Sequence, residues 1–169
     1  MDAAERRQAI AETLSRSGGP VPAAALAAHL GVSRQVIVGD VALLRASGAE
    51  ITATPRGYVA GGERGSRHTL ACVHSLDGME RELNIMVDNG CTVLDVVIEH
   101  AVYGQLTGEL HLRSRRDVAE FMRRVMEDGA APLSTLTGGI HLHTLLCPDE
   151  EALELTKAEL REAGILLGD

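Results

Sequence analysis

The chain has 169 residues, 45% of them apolar, with three aromatic side chains (Tyr58, Tyr103, Phe121) and no Trp. That suffices for one ordinary domain or two small ones packed with Leu, Val, Ile and Ala, and it excludes a disordered chain and recognition by extended aromatic stacking. The net charge of −8 is uneven. Residues 1–62 carry six basic and five acidic side chains (+1), which leaves 10 basic and 19 acidic for the remainder (−9). An acidic protein with a neutral-to-basic first third is compatible with DNA binding through that third. Cys72, Cys91 and Cys147 form no C-x-x-C pair, and neither a signal peptide nor a membrane-length apolar run is present. The expectation is a reduced cytoplasmic protein with buried thiols and no membrane association.

The periodicity predicts a first helix over Asp2–Ser17, with Ile10 and Leu14 on its apolar face, ended by Gly18-Gly19-Pro20. Pro22 suits the first turn of a second helix, Val21–Leu30. Gly31-Val32-Ser33 then reads as a tight turn, with Ser33 as the N-cap of a third helix, Arg34–Ala46. The apolar face expected for that helix is Val36, Val41 and Leu44, with Ile37 beside them. Helix, glycine-containing turn and capped helix together make a helix-turn-helix. Ser33, Arg34 and Gln35 occupy the first turn of its recognition helix. Arg can read guanine and Gln adenine in the major groove, while Ser33 suits a phosphate. Arg45 is a further basic candidate at the far end of the helix. Two short β-prone runs around Pro55-Arg56-Gly57 predict a hairpin, a wing that carries Arg56 at its tip. A three-helix protein-interaction module is the alternative. Gly39 inside the recognition helix costs about 1 kcal/mol relative to Ala, which close approach to a neighbouring helix or to DNA would explain.

The glycine-rich stretch Gly61–Ser66 is the expected boundary between a domain at 1–62 and a second at 63–169. Beyond it the pattern predicts a strand over Arg67–His74, a turn at Asp77-Gly78 and a helix over Met79–Asp88. A long strand over Thr92–Tyr103 follows, then a segment broken by Gly104 and Gly108 before a short strand, Glu109–Leu112. A helix capped by Ser114 runs to Gly129, and a strand covers Ile140–Leu146. The last helix starts at Pro148-Asp149, with Leu153, Leu155 and Leu160 on its apolar face, and Ile165–Leu167 is a candidate edge strand. The order β-α-β-β-α-β-α is that of a two-layer α/β sandwich with a largely antiparallel sheet and helices on one side, leaving the other sheet face for a site or a partner. With the winged helix in front, the fold class is α+β.

His141 and His143 stand two apart on a strand, so they share one face. By themselves they are either half of a metal site or two histidines on an open sheet face. His74 at the end of the first strand and Glu82 on the following helix add to them. Three neutral imidazoles and a carboxylate suit one borderline divalent transition ion per chain, Zn, Ni or Fe(II), and a cysteine ligand would also be compatible. His29 and His68 read as surface residues; His100 and His111 read as surface residues or as supports for the ligands. Gly138-Gly139 is too short to be a phosphate loop and suits a tight turn or close approach of a ligand. Neither a Ser-His-Asp grouping nor a phosphate-loop motif is present. A metal-dependent hydrolase and a metal-sensing regulator are the functional alternatives.

Ser33-Arg34-Gln35-Val36-Ile37-Val38 with Asp40-Val41-Ala42-Leu43-Leu44-Arg45 resembles the helix-turn-helix of the biotin-repressor type. His74, Glu82 and Gly139-Ile140-His141-Leu142-His143-Thr144 resemble the 3H domain, together with Tyr103-Gly104, Ser114-Arg115, Asp117-Val118, Phe121 and Pro132-Leu133-Ser134. Over essentially its whole length the chain resembles the niacin-responsive transcriptional repressors, with Gly39 where a polar residue would be expected. The resemblance implies an HPr-like 3H domain holding a divalent metal through His74, Glu82, His141 and His143. It also implies nicotinic acid as co-repressor at or beside that metal, a homodimer on double-stranded operator DNA, and repression of niacin-uptake or NAD-synthesis genes.

Overall fold

The structure is a computed structural model that describes residues 2–61 and 65–168; of the expected linker, residues 62–64 lie outside the described residues. The chain divides into two compact units, Met1–Gly62 and Glu63–Asp169.

In the first unit α1 (Ala3–Arg16) begins with a full capping box: Glu5 N–H donates to Asp2 Oδ1 and Asp2 N–H to Glu5 Oε2, both at 2.8 Å. Ile10 and Leu14, four apart, are buried against Leu26 and Ala27 of α2 (Ala23–Leu30) and Ile37 and Val41 of α3 (Arg34–Ala46). Gly31, in the left-handed region at φ +67°, ends α2, and the Ser33 side chain caps α3 by accepting from Val36 N–H. The apolar face of α3 differs from the expected one. Ile37 and Val41 are inside and Leu44 half-buried, whereas Val36 is exposed, because one residue along a helix is a rotation of about 100°. The middle of α3 is also anchored by charge. The Asp40 carboxylate is buried, and Arg6 donates to it through Nε at 2.6 Å and Nη2 at 3.3 Å, with Arg7 Nη1 at 3.6 Å.

The wing is a real hairpin: β1 (Ile51–Thr54) pairs antiparallel with β2 (Gly57–Ala60). Val21 makes an isolated antiparallel bridge to Tyr58. That contact requires Gly57, at φ +137°, since a Cβ there would lie 2.3 Å from Val21 O.

The second unit is a four-stranded antiparallel sheet, order β3-β6-β4-β5, built from β3 (Ser66–Val73), β4 (Thr92–His100), β5 (Gly104–Leu112) and β6 (Ile140–Cys147). Residues of α4 (Met79–Asp88), α5 (Arg115–Asp128) and α6 (Glu150–Glu162) join the strands in one core around Leu83, Met86, Val93, Leu112, Val118, Leu145 and Leu160. The architecture is the α+β one expected, a winged helix followed by a two-layer sandwich. Ile165–Leu167 does attach to the edge: Leu166 bridges Cys72, and Val73 N–H donates to Ile165 O.

Two local expectations are corrected. The long strand stops at His100 and turns at residues 101–103, and β5 then runs unbroken from Gly104. Gly104 supplies the turn at φ +73°, and Gly108 sits inside the ladder opposite Val96. Leu155 faces outward on α6; Leu153, Thr156 and Leu160, spaced three and four apart, form its buried face.

Candidate functional site

Alternation along β6 puts Ile140 and Leu142 on the outer face, 50% and 37% exposed, and His141 and His143 on the inner one, each 3% exposed. The two histidines are therefore core residues beneath the helical layer. A pair of surface histidines is excluded, and the site lies between sheet and helix rather than on the open sheet face. Across the ladder His141 stands opposite Cys72 and His143 opposite Leu70. The register puts both inward-facing positions of β3 against the histidine pair.

Glu82 lies on the apolar face of α4 with Met79, Leu83, Met86 and Val87, and it is 1% exposed. A carboxylate buried there needs compensating partners. Three imidazoles supply them. His74 Nε2 is 2.6 Å from Glu82 Oε2, His143 Nε2 is 3.3 Å from the same oxygen, and His141 Nε2 is 2.8 Å from Oε1. The rings of His74 and His141, and of His141 and His143, meet edge to face at 4.8 and 4.9 Å. The four residues that sequence spacing singled out are thus one cluster.

The other nitrogen of each ring meets a main-chain carbonyl. Nδ1 of His74 donates to Ser75 O at 2.6 Å, that of His141 to Gly139 O at 2.8 Å, and that of His143 to Asp95 O at 2.7 Å. A carbonyl can only accept, so each Nδ1 carries a proton and a neutral ring presents its Nε2 lone pair to the carboxylate. Asp95 is free to serve because β4 carries an extra residue against β6 between Val93 and Val97; its Oδ1 also accepts from Thr144 N–H at 2.9 Å.

Two glycines let these parts meet. A Cβ on Gly139, at φ +94°, would lie 2.3 Å from His74 O, and one on Gly78 would lie 2.8 Å from His74 Cβ. Gly139 thus serves close approach of the chain to itself rather than to a ligand. The supports of the three rings are main-chain carbonyls, and neither His100 nor His111 is among them. His100 instead caps the 101–103 turn and lies against Tyr103, while His111 is buried beside Glu109 in the left-handed region at φ +52°. His29 is exposed and His68 contacts Ser66.

Electrostatically the cluster is strongly coupled. Burial would raise the Glu82 carboxyl, but the His143 charge and the contacts with His141, His143 and His74 outweigh it and hold the group well below the usual carboxylate range. The contact with Glu82 raises His74. Burial lowers His143, yet Glu82 carries it above its ordinary value as well.

Cys72 was not singled out by its spacing. It is fully buried, and its Sγ, one Glu82 oxygen and a His141 ring nitrogen all lie within 4.8 Å of one another. Burial pushes its thiol up, and Glu82 adds to that. The signal available in the sequence was its place two residues before His74, on the same side of β3 as Leu70. The other two cysteines are turned elsewhere: Cys91 and Cys147 Sγ are 2.8 Å apart, with Thr156 Oγ1 3.6 Å from Cys91.

In the first unit Ser33, Arg34 and Gln35 form an exposed first turn of α3. Arg45 is exposed in the last turn of the helix, eleven residues or about 16 Å along its axis. Arg56 does not stand open at the wing tip; it is half-buried. Nothing lies within 4 Å of where a Gly39 Cβ would be, so packing against a neighbouring helix does not explain that glycine.

Residues 67–169 match the 3H domain model and residues 6–59 an HTH domain model. The chain is 44% identical over 164 residues to a probable transcription repressor NiaR of Thermotoga maritima, covering 96% of this chain and 94% of that one. It is 42% identical over 171 residues to the transcription repressor NadR of Bacillus subtilis, covering 98% and 95%.

Two outcomes are expected. Gly139→Ala forces a side chain onto His74 O in a backbone conformation that disfavours it, and costs at least about 1–3 kcal/mol in denaturant unfolding of the second unit. In chelator, the His74 and His143 contribution is complete below the unfolded histidine value of about 6.5 and is lost as pH rises through their raised folded values. The Glu82 contribution is present above about 4.3 and is lost only as pH falls through its depressed folded value. Melting temperature in chelator therefore declines from pH 6 to pH 9; a flat or rising profile contradicts the coupling.

Proposed function

The chain belongs to the niacin-responsive transcription-repressor family, in which an HTH domain precedes a 3H domain, and from that premise we propose that it is a repressor whose DNA affinity is set by nicotinic acid bound at a divalent-metal site. That it is a transcription repressor, binding double-stranded DNA through its HTH domain and not an enzyme, follows from the family itself. The ligand, the metal, a homodimeric state, a cytoplasmic location and control of niacin-uptake or NAD-synthesis genes are the proposal.

One observation carries the metal assignment: three Nε2 atoms converge on one buried carboxylate while every Nδ1 is committed to a carbonyl. With the rings neutral, lone pairs face the carboxylate, an arrangement that a bound cation relieves; without one, rings must take up protons to meet Glu82, and all three protonated would leave a net positive charge in the core. His74, Glu82, His141 and His143 would hold the ion, a Zn, Ni or Fe(II), for which imidazole and carboxylate are suitable donors. The carbonyls of Ser75, Gly139 and Asp95 fix each ring's tautomer and aim, as supports of metal-ligating histidines do. The ion would supply a strong directional bond to a compact anion, whose small size otherwise limits its affinity to about 1.5 kcal/mol per heavy atom at best.

A co-repressor must bind the DNA-competent form better than the other form; tight binding alone shifts nothing. In the proposed dimer the ligand would fix the spacing of two recognition helices, with half-sites about 34 Å apart or a multiple of it. Ser33, Arg34 and Gln35 would enter the groove, Arg45 and Arg56 would contact backbone, and the open face at Gly39 would admit the groove wall closely.

The deciding experiment combines elemental analysis of the purified protein, calorimetry against nicotinate and nicotinamide, and an operator gel shift titrated with nicotinate. Expected are one transition ion per chain, nicotinate binding that disappears in chelator, and a nicotinate-dependent rise in operator affinity. Loss of DNA binding on chelation with no nicotinate effect would make the protein a metal sensor; unchanged affinity in both arms refutes the proposal. Arg34→Ala should weaken specific operator binding by about 1–3 kcal/mol, roughly 5- to 150-fold, with nicotinate calorimetry unchanged.

A further inference from the structure

Both inward positions of β3 that oppose the histidine pair are buried, but they differ in kind. Leu70 opposite His143 is an ordinary core residue. Cys72 opposite His141 brings a sulfur to the cluster. Its Sγ, one Glu82 oxygen and one His141 nitrogen all lie within 4.8 Å of one another. Two donors on opposite sides of a zinc ion, one sulfur at about 2.3 Å and one nitrogen at about 2.0–2.1 Å, are separated by at most about 4.4 Å. The three atoms lie close enough together for small side-chain adjustments to bring them around one ion. The remaining two thiols face each other and Thr156, so proximity to the cluster is particular to Cys72 rather than a property of every buried cysteine here.

We infer that Cys72 is a sulfur ligand of the ion, making the site a mixed sulfur, imidazole and carboxylate one. The inference rests on the metal site proposed above. As the metal–sulfur bond forms, the S–H bond breaks, its electron pair stays on sulfur and is shared with the ion in the new bond, and its proton leaves to solvent. A soft donor narrows the choice of metal: thiolate with imidazole suits zinc and the later transition ions, whereas magnesium, calcium and manganese prefer oxygen. Cys72 therefore selects the class of ion that the histidines alone would share with harder competitors.

Zinc X-ray absorption on the full-length protein loaded with one equivalent of Zn(II) reads this directly. The expected spectrum has one sulfur at about 2.3 Å beside nitrogen and oxygen at about 2.0–2.2 Å. Cys72→Ser should lose the sulfur shell while zinc still binds, with competition against a chromogenic chelator showing an affinity weaker by on the order of tenfold or more. Co(II) loading gives a second readout, a sulfur-to-cobalt charge-transfer band in the wild type that the variant lacks. Should the variant fail to fold, the wild-type spectra decide alone. Zinc bound with a nitrogen and oxygen shell only, or a sulfur shell that persists in Cys72→Ser, overturns the assignment of Cys72 and leaves the four-ligand site intact. No zinc bound at all overturns both.

Discussion

A carboxylate on the wrong face of a helix organises the second unit. Glu82 occupies a position of α4 that Leu83 and Met86 identify as core, and an ionised carboxylate in such a place is tolerated only when opposite charge or strong donors meet it. Its partners come from just after β3 and from the start of β6, segments about 70 residues apart in the chain. The helix, the central strand and the edge strand are consequently fixed against one another by polar contacts at one end of the core. Elsewhere Leu83, Val93, Leu112, Leu145 and Leu160 do the same by packing.

The aim of the three rings depends on backbone rather than on side chains. Each Nδ1 is held by a carbonyl, and those carbonyls are where they are because of local irregularities: the turn after β3, the left-handed Gly138 and Gly139 before β6, and the extra residue in β4 at Asp95. A regular ladder would have consumed the Asp95 carbonyl. A residue with a Cβ at 139 would have pushed His74 away. Side-chain supports can be exchanged by mutation; main-chain supports are carried by the fold, so ring orientation is as stable as the domain.

This division explains what was legible in the sequence. Period-two spacing put His141 and His143 on one face, and the helix and strand assignments put His74 and Glu82 near them. Which face of β6 is covered was not legible, because Ile140 and Leu142 are as apolar as a core pair and the strand reads equally well in either orientation. The buried choice is decided by long-range partners, Glu82 and the β3 register, that periodicity does not contain. Cys72 escaped for the same reason: its place opposite His141 depends on the β3–β6 register, not on its neighbours. In the first unit the cap at Ser33 and the turn at Gly31 were readable because they are local. The pairing of Arg6 with Asp40, 34 residues on, was not. The misplacement of Val36 and Leu155 has a simpler cause, since an apolar residue one or two positions off the stripe resembles a member of it until the partner helix is known.

The Arg6–Asp40 contact bears on how a ligand signal could reach DNA. The recognition helix is capped by Ser33, packed through Ile37 and Val41, and tied at its middle to α1 by a buried carboxylate. Every one of these supports lies within Met1–Gly62, so the helix does not need a ligand in the second unit to be formed. An order–disorder switch of the recognition helix is therefore a poor mechanism for this chain. Under the proposed function, what a small ligand at the carbonyl-braced cluster would alter is the presentation of an already folded reader, through the relation between the two copies of the proposed dimer. In that proposal the carbonyl bracing of the three rings matters: a cluster that deformed on binding would dissipate the differential affinity that the proposed co-repressor must spend on the DNA-competent form.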